Sequence, residues 1–167
     1  MKLLFSKRRI ASAIKRLAGE IERDYRGSDL TLVGVEKGAF IFLADLVRQL
    51  SLPLEIAFVS ASSYLGAVSC GSIVVREPTF CSFVGKHVLL VEDIVDTGLT
   101  ARVLIEYFEQ KGVASVKFCT LLDKPARRRV PIEIHYRGFV VPDVFVVGYG
   151  LDYDGKYRSL PEIYRWR

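Results

Sequence analysis

The segment Val88–Thr100, VLLVEDIVDTGLT, changes from an apolar run to acidic residues and then to small, hydroxylated ones. The apolar run is typical of a strand buried in a parallel sheet, and DTGLT leads into a helical pattern. Amides at a helix N-terminus bind phosphate, yet Glu92, Asp93 and Asp96 would repel a bare phosphate. A sugar phosphate fits both halves, because carboxylates bind ribose hydroxyls or Mg²⁺. On this segment alone, an ordinary helix cap is an equally open interpretation of DTGLT.

Helical and strand patterns alternate along the rest of the chain. Helical spacing of apolar residues is found in three segments: 7–25, 39–50 and 99–111. Ser6 is a suitable N-cap for the first of these helices, and Gly27 is suited to end it. Strands are predicted in five segments: 30–35, 54–60, 87–91, 115–123 and 144–149. This alternation predicts an α/β fold in which a mostly parallel central sheet is flanked by helices on both faces.

The 167 residues are predicted to form one domain, 1–167. Residues 61–86 are rich in Ser and Gly and then in β-branched residues, which predicts a mobile flap that returns as an antiparallel ribbon. Four polar loops follow predicted strands: VEKGAF, SSYLG, EDIVDTGLT and GYGLDYDGKYR. Because ligands bind beyond the carboxyl ends of parallel strands, these loops are predicted to converge on one site.

Composition and motifs argue against several other classes of protein. No apolar run reaches the length of a membrane span, and the N-terminal apolar run is too short for a signal peptide, so a cytoplasmic location is expected. Cys70, Cys81 and Cys119 are widely spaced, which predicts reduced thiols; His87 and His135 are too isolated to indicate zinc. No Walker, Rossmann or calcium-loop pattern occurs. The net charge of +5 indicates little about partners.

The segment VLLVEDIVDTGLT resembles the signature of the phosphoribosyltransferases, which is an apolar strand, two acids, two apolar residues and Asp-Thr-Gly-x-Thr. GVEKGAF, SSYLG, LLDKPARR and VPDVFVVGYGLDYDGKYRSLPEI resemble further segments of the hypoxanthine-guanine branch. The resemblance covers nearly the whole chain. It implies the type I phosphoribosyltransferase fold, with a mobile flap and a small hood. It also implies transfer of ribose 5-phosphate from phosphoribosyl diphosphate to hypoxanthine, guanine or, as a third acceptor, xanthine, with Mg²⁺, in purine salvage.

The resemblance implies roles for the residues of the central signature. Asp96 corresponds to the general base at the purine N7, a role worth roughly 10²–10⁴-fold in rate. Glu92 and Asp93 would hold the ribose hydroxyls and contact Mg²⁺, and their charge would stabilise an oxocarbenium-like state. The 5′-phosphate would be cradled by one continuous loop: Asp96, Thr97, Gly98, Leu99 and Thr100.

The resemblance assigns base recognition to residues near the C-terminal half. Lys124 would donate to the purine O6, Phe145 would stack on the purine ring, and Val146 would contact the base edge through its backbone. Asp152 would carry Mg²⁺ through water near the purine 2-position. Arg158 would bind the leaving pyrophosphate, which suits a planar guanidinium.

The remaining implied roles belong to the first loop and the flap. Lys37 and Gly38 would bind pyrophosphate through backbone N–H groups, and the peptide bond before this lysine is often cis in the family. Ser63 and Tyr64 would close over the reaction. Ala39 replaces the second glycine of the family pattern, and alanine tolerates positive φ less well than glycine.

The resemblance suggests a homodimer or homotetramer. The basic run Arg127–Arg129 is predicted to be a solvated face, which does not favour a nucleic-acid partner, and Trp166 is predicted to pack on a neighbouring residue or another subunit. Two other functions stay open. One is a regulator that binds RNA through a basic face, and the other is a phosphoribosyltransferase for a different base, such as a pyrimidine.

Overall fold

The computed structural model describes residues 1–63, 73–76 and 82–167. Among these residues there are three α-helices and a short 3₁₀ helix: α1 (Lys7–Tyr25), α2 (Phe40–Val47), α3 (Leu99–Glu109) and Pro125–Arg127. The strands are, in chain order, β1 (Lys2–Phe5), β2 (Leu30–Glu36), β3 (Leu54–Ser63), β4 (Ile73–Arg76), β5 (His87–Val95), β6 (Ser115–Asp123), β7 (Tyr136–Val140), β8 (Val146–Val147) and β9 (Ile163–Arg165).

The main sheet has six strands in the order β4-β3-β2-β5-β6-β7. Strands β3, β2, β5, β6 and β7 are parallel, and only β4 runs antiparallel to its neighbour. The predicted mostly parallel sheet is therefore confirmed. Helices cover both of its faces, and the side chains of β5 show this because they alternate between the two cores. Leu89 and Val91 join the core formed with α1 and α2, whereas Val88 and Leu90 join the core formed with α3.

Helix α1 matches its predicted bounds and supplies more residues to one core than any other helix or strand does. Its apolar residues recur every three or four positions, so one stripe is buried: Ile10, Ile14, Leu17 and Ile21. The Ser6 side chain accepts a hydrogen bond from the amide of Arg9 at 3.4 Å, which makes it the N-cap that the sequence indicates. No helix in the described part of the chain is long and apolar enough to cross a membrane.

Two strands are longer than predicted because neighbouring strands continue beside them. Strand β5 runs on to Val95 in register with β6, so Glu92 and Asp93 lie on the strand itself. Strand β3 runs on to Ser63, which pairs antiparallel with Ile73 of β4. The antiparallel return of the flap is thus confirmed for its base, while Tyr64 lies outside the described residues.

The prediction of a fifth main-sheet strand at 144–149 was wrong. Only Val146 and Val147 form a strand, and they pair antiparallel with β9 in a separate small sheet of order β1-β9-β8. Gly148 ends the strand with φ +99, and a Cβ atom there would lie 2.1 Å from the carbonyl oxygen of Glu162. The edge of the main sheet is occupied instead by β7, which the sequence analysis did not predict.

Cysteine chemistry agrees with the prediction where it is described. Cys119 lies fully buried in β6 and has a free thiol. Burial raises the pKa of this thiol well above its ordinary value, so it remains protonated and unreactive. Cys70 and Cys81 lie outside the described residues.

Candidate active site

Three of the predicted loops meet at the carboxyl edge of the main sheet. A Cβ atom on Gly38 would lie 1.8 Å from Oδ2 of Asp93, so the first loop touches the acidic end of β5. A Cβ atom on Gly150 would lie 2.1 Å from the carbonyl oxygen of Gly38, so the small-sheet loop touches the first loop in turn. Only glycine permits these approaches, and the predicted convergence of these loops is therefore observed.

The first loop follows the family pattern despite its alanine. The peptide bond between Glu36 and Lys37 is cis, as the resemblance implied. Ala39 has φ −73° and ψ −9°, which is ordinary right-handed backbone, so its replacement of glycine needs no altered loop. The backbone amides of Lys37 and Gly38 form no hydrogen bond with any other described residue, which leaves both amides available to an anion.

The Glu92 carboxyl group is buried and that of Asp93 partly buried, and neither forms an ion pair with another described residue, although the nearby Arg158 charge acts to lower the pKa of Asp93. The Glu92 residue is only 8% exposed, and its pKa is raised well above the usual range by burial and then by the neighbouring Asp93 charge. Burial also raises the pKa of Asp93 to about 6, partly opposed by the Ile94 amide, which donates to Oδ1 at 3.0 Å. Such a pair fits hydroxyl donors or a cation.

Mg²⁺ suits this donor set only if other oxygens complete its coordination. Within the described ranges, no three acidic, histidine or cysteine side chains are grouped closely enough to hold a metal ion. Asp152, the third predicted metal ligand, is paired with Arg158 instead, at 2.7 Å between Oδ1 and Nη2. Two carboxylates, water and substrate oxygens are the kind of shell that Mg²⁺ commonly has in proteins.

The start of α3 has the features of a phosphate site. Gly98 is the N-cap, with φ +84° and no side chain to bond the first-turn amides, while the hydroxyl of Thr97 accepts from the Leu99 amide at 3.4 Å. No acidic residue occupies the first turn. The loop from Asp96 to Thr100 lines a cavity of about 90 Å³, which is small enough for a phosphate group and too small for a nucleotide. These features favour an anion site over a plain cap.

The basic run near the site is only in part the solvated face that the sequence predicted, because Arg127 and Arg129 are exposed but Arg128 is not. Arg128 is mostly buried and forms an ion pair with the buried carboxylate of Asp123, which also pairs with Arg137 at 2.9 Å. The Nε atom of Arg127 lies 3.1 Å from Oδ1 of Asp96. Sequence alone could not reveal these pairings, because they depend on how separate segments of the chain pack against one another.

Lys124 and Phe145 are exposed to very different degrees. Lys124 follows β6, is only 5% exposed, and is fixed by its amide, which donates to the carbonyl of Val95 at 2.9 Å. Among the described residues its ammonium group forms no hydrogen bond or ion pair. Phe145 is 49% exposed and meets Tyr153 edge-on at 5.7 Å, while Val146 is buried in β8.

Arg158 is held by the loop that carries it. Its Nη1 atom donates to the carbonyl of Gly150 at 2.5 Å, and its own carbonyl accepts from the Gly150 amide at 2.9 Å. Trp166 stacks on Tyr153 at 4.8 Å and lies 4.9 Å from Tyr157, so it packs on neighbours within the chain. These packed aromatic side chains shape the side of the site that the small sheet forms.

A larger cavity in the described part of the chain lies elsewhere. It measures about 780 Å³ and is bounded by α1, α2 and residues 159–161. The candidate site is an open cleft. The evidence that it is functional is the chemistry of its residues and their convergence.

Comparisons with known proteins agree with this geometry. A family described as phosphoribosyl transferase domain matches residues 2–154. The chain is 45% identical over 163 residues to a hypoxanthine-guanine phosphoribosyltransferase of Streptococcus pneumoniae, covering 97% of this chain and 91% of that protein. A crystal structure of a hypoxanthine-guanine phosphoribosyltransferase from Bacillus anthracis has a TM-score of 0.90 and 42% identity, over 98% of this chain and 95% of that one.

A mutant hypoxanthine phosphoribosyltransferase from Trypanosoma cruzi, solved as a ternary substrates complex, is also similar. Its TM-score is 0.93 at 41% identity, over 99% of this chain and 95% of that one.

The substitution Asp93→Asn is expected to stabilise the ligand-free protein at about pH 8. Because the folded pKa of about 6 exceeds the ordinary 3.8, the native state binds more protons than the unfolded state between these values. The penalty from Asp93 therefore grows as pH rises through that window and is complete above it. We expect a melting temperature at least about 2 °C above wild type at pH 8, and no difference near pH 4.

The measurement is thermal unfolding by circular dichroism without divalent cations. Asp29→Asn, which changes an exposed carboxylate, is the control and should show no such pH-dependent gain. A variant less stable than wild type at pH 8 would show that the Asp93 charge is already compensated.

Proposed function

The chain belongs to the phosphoribosyltransferase family, and we propose that it transfers the 5-phosphoribosyl group of phosphoribosyl diphosphate to hypoxanthine and guanine. The products are IMP or GMP and pyrophosphate, as in purine salvage. Its fold is the type I phosphoribosyltransferase fold. The observation that carries the proposal is one strand–helix junction that joins the carboxylates of Glu92 and Asp93, whose pKa values burial raises, to the glycine-capped N-terminus of α3.

The 5′-phosphate binds to the first-turn amides of α3. The glycine cap at Gly98 supports this assignment, because it provides no side chain that would compete for those amides. The ribose hydroxyls donate to Glu92 and Asp93. As the bond from C1′ to pyrophosphate breaks, positive charge develops on the ribose ring, and the two nearby carboxylates stabilise it.

Asp96 acts as the general base. The purine N9 attacks C1′, pyrophosphate leaves, and the proton that the purine gives up passes to the Asp96 carboxylate at N7. Its position supports this role, since Asp96 stands between the acidic end of β5 and the phosphate loop and its side chain remains 38% exposed to a ligand. A positioned carboxylate contributes roughly 10²–10⁴-fold to the rate.

Lys124 selects the 6-oxo group. A nearly buried ammonium group without a described partner has a strong need for an acceptor, which the purine O6 supplies. Adenine presents an amino group at this position and would leave the ammonium unpaired, so it is excluded. Phe145 stacks on the purine, which its large exposed fraction supports, and the backbone of Val146 contacts the base edge.

Pyrophosphate binds at the first loop and the small-sheet loop. The unpaired amides of Lys37 and Gly38 would hold it from one side and Arg158 from the other, after the guanidinium exchanges Asp152 for the anion. Ser63 and Tyr64 are proposed to close over the bound substrates. The backbone at Ser63, where β3 ends beside β4, supports a flap anchored at this point.

Mg²⁺ would be held by Glu92 and Asp93, with Asp152 contributing through water. When bound, the ion supplies positive charge that neutralises the diphosphate oxygens. Burial raises the pKa of both carboxyl groups, and this supports the assignment because a bound cation would offset the cost of keeping them ionised there.

We also propose a homo-oligomer, with a homodimer as the smallest unit. Phe40 and Ile56 are each 48% exposed and Phe58 is 39% exposed. Phe40 and Phe58 line one cavity together with Lys37 of the first loop, so the apolar surface adjoins the site. Clustered exposed apolar side chains of this kind are typical of protein interfaces.

Neither alternative function gains support from a specific observation. A regulator that binds RNA would need a free basic face, but Arg127 and Arg128 are engaged with carboxylates. No feature of the site favours a pyrimidine over a purine as the acceptor. Xanthine stays a possible third acceptor, since the contacts around the 2-position are proposed to be made through the backbone.

The substitution Asp96→Asn tests the proton-transfer role. Asparagine keeps the size of the side chain but cannot accept the proton, so kcat should fall at least about tenfold. Binding of GMP, measured by isothermal titration calorimetry, should change little. An unchanged kcat would remove Asp96 from the role of general base.

The substitution Lys124→Ala tests base selection. Loss of a charged donor should raise KM for hypoxanthine and guanine by about tenfold or more, with a smaller change for phosphoribosyl diphosphate. Lys15→Ala, which changes an exposed lysine of α1, is the control and should leave both constants unchanged. Equal losses for base and phosphoribosyl diphosphate would indicate a structural lysine.

A further inference from the structure

We propose that Arg127 is a positioning residue that orients the carboxylate of Asp96, and that Asp143 holds Arg127 in place. The inference rests on the proposed function, because it assigns how the proposed general base is aimed. A base that must take a proton from one purine atom needs a fixed direction, and a third group often supplies it.

The two oxygens of Asp96 lie in different environments. Oδ1 is buried, forms no aligned hydrogen bond within the described residues, and has Nε of Arg127 at 3.1 Å. The Asp96 side chain as a whole is nevertheless 38% exposed. Its exposure therefore comes from atoms other than Oδ1, which leaves Oδ2 as the oxygen presented to a ligand.

Arg127 has a second carboxylate within reach. Its Nη1 atom lies 3.8 Å from Oδ1 of Asp143, which precedes the stacking residue Phe145 by two positions. Asp143, Arg127 and Asp96 thus form a chain of alternating charges. It links the segment that would stack on the purine to the carboxylate that would receive its proton.

The backbone around Arg127 is braced against the loop of Asp96. The Nε atom of Arg128 donates to the carbonyl of Asp96 at 3.2 Å, and the amide of Arg129 donates to the carbonyl of Thr97 at 2.9 Å. A Cβ atom on Gly98 would lie 2.8 Å from Cδ of Arg128, so the two loops are in close contact. The Arg127 side chain therefore starts from a backbone position that is fixed relative to the base.

A purely stabilising role does not fit this ion pair. The side chains of Arg127 and Asp96 are 47% and 38% exposed, and ion pairs with that much exposure contribute little to the free energy of unfolding. The buried pair of Arg128 with Asp123 already braces the same segment. The contribution of Arg127 is therefore to fix the orientation of the Asp96 carboxylate through its contact with Oδ1.

The test is a double-mutant cycle between Arg127→Gln and Asp96→Asn, read by steady-state kinetics with hypoxanthine. We expect Arg127→Gln alone to lower kcat about fivefold or more, because the base loses its orientation. KM for phosphoribosyl diphosphate and the melting temperature should stay unchanged. In the Asp96→Asn background, Arg127→Gln should cost no further activity, since there is no carboxylate left to aim.

Two further variants sharpen the cycle. Arg129→Gln changes the adjacent exposed arginine and should leave kcat at the wild-type value. Asp143→Asn should lower kcat less than Arg127→Gln does, and should have no effect once Arg127 is replaced.

Each contrary outcome has a distinct meaning. Additive losses in the cycle would overturn the proposal, because Arg127 would then act without Asp96. A raised KM for phosphoribosyl diphosphate with unchanged kcat would overturn it in favour of a phosphate contact, and a lowered melting temperature in favour of a structural role. An unchanged kcat in Asp96→Asn would instead contradict the general-base assignment of the proposed function, on which this inference depends.

Discussion

The close approach of Gly38 to the Asp93 carboxylate is the constraint on which the rest of the site depends. Any side chain at position 38 would occupy the space of that carboxylate, and any side chain at position 150 would strike the carbonyl of Gly38. Three loops far apart in sequence therefore share one small volume. Parallel strands bring their carboxyl ends, and the loops that follow them, to the same edge of the sheet. Glycine then allows these loops to approach one another closely.

The buried acids are the second feature that sets this edge of the sheet apart. Glu92 and Asp93 are held away from water by strand β5, whose pairing with β6 continues beyond the apolar run. Their raised pKa values show that keeping these carboxyl groups ionised costs free energy in the ligand-free protein. A ligand that brings hydroxyl donors and positive charge relieves that cost on binding. In the proposed function, stability is given up at this edge because ribose and Mg²⁺ would bind to the carboxylates there.

The sequence predicted the main elements of the fold because they depend on local patterns. Helix α1 combines a clear apolar stripe with a Ser6 cap, and apolar residues predominate in the segment that forms β6. The segment 144–149 was misplaced because a short apolar run does not reveal which sheet it joins. Gly148 and the pairing with β9 decide that, and both are tertiary features. Strand β7 was missed because its sequence, YRGFV, has a weak alternating pattern.

The site shows the same division between local and tertiary information. The proposed phosphate loop and the acids follow from one contiguous motif, and among the described residues Glu92 and Asp93 form no ion pair. The ion pairs of Arg127 and Arg128 depend on how two loops pack, so the sequence indicated only exposed positive charge. The stacking of Trp166 on Tyr153 depends on the small sheet in the same way.

The central claim is that this edge of the sheet joins a ribose phosphate to a 6-oxopurine. The most direct measurement is a spectrophotometric assay with phosphoribosyl diphosphate, Mg²⁺ and, in turn, hypoxanthine, guanine, xanthine, adenine and uracil. The account predicts turnover of hypoxanthine and guanine, none of adenine, whose 6-amino group cannot accept from Lys124, and none of uracil, which has no N7 to give a proton to Asp96. Turnover of adenine or uracil, or no turnover of any base by the folded protein, would contradict it.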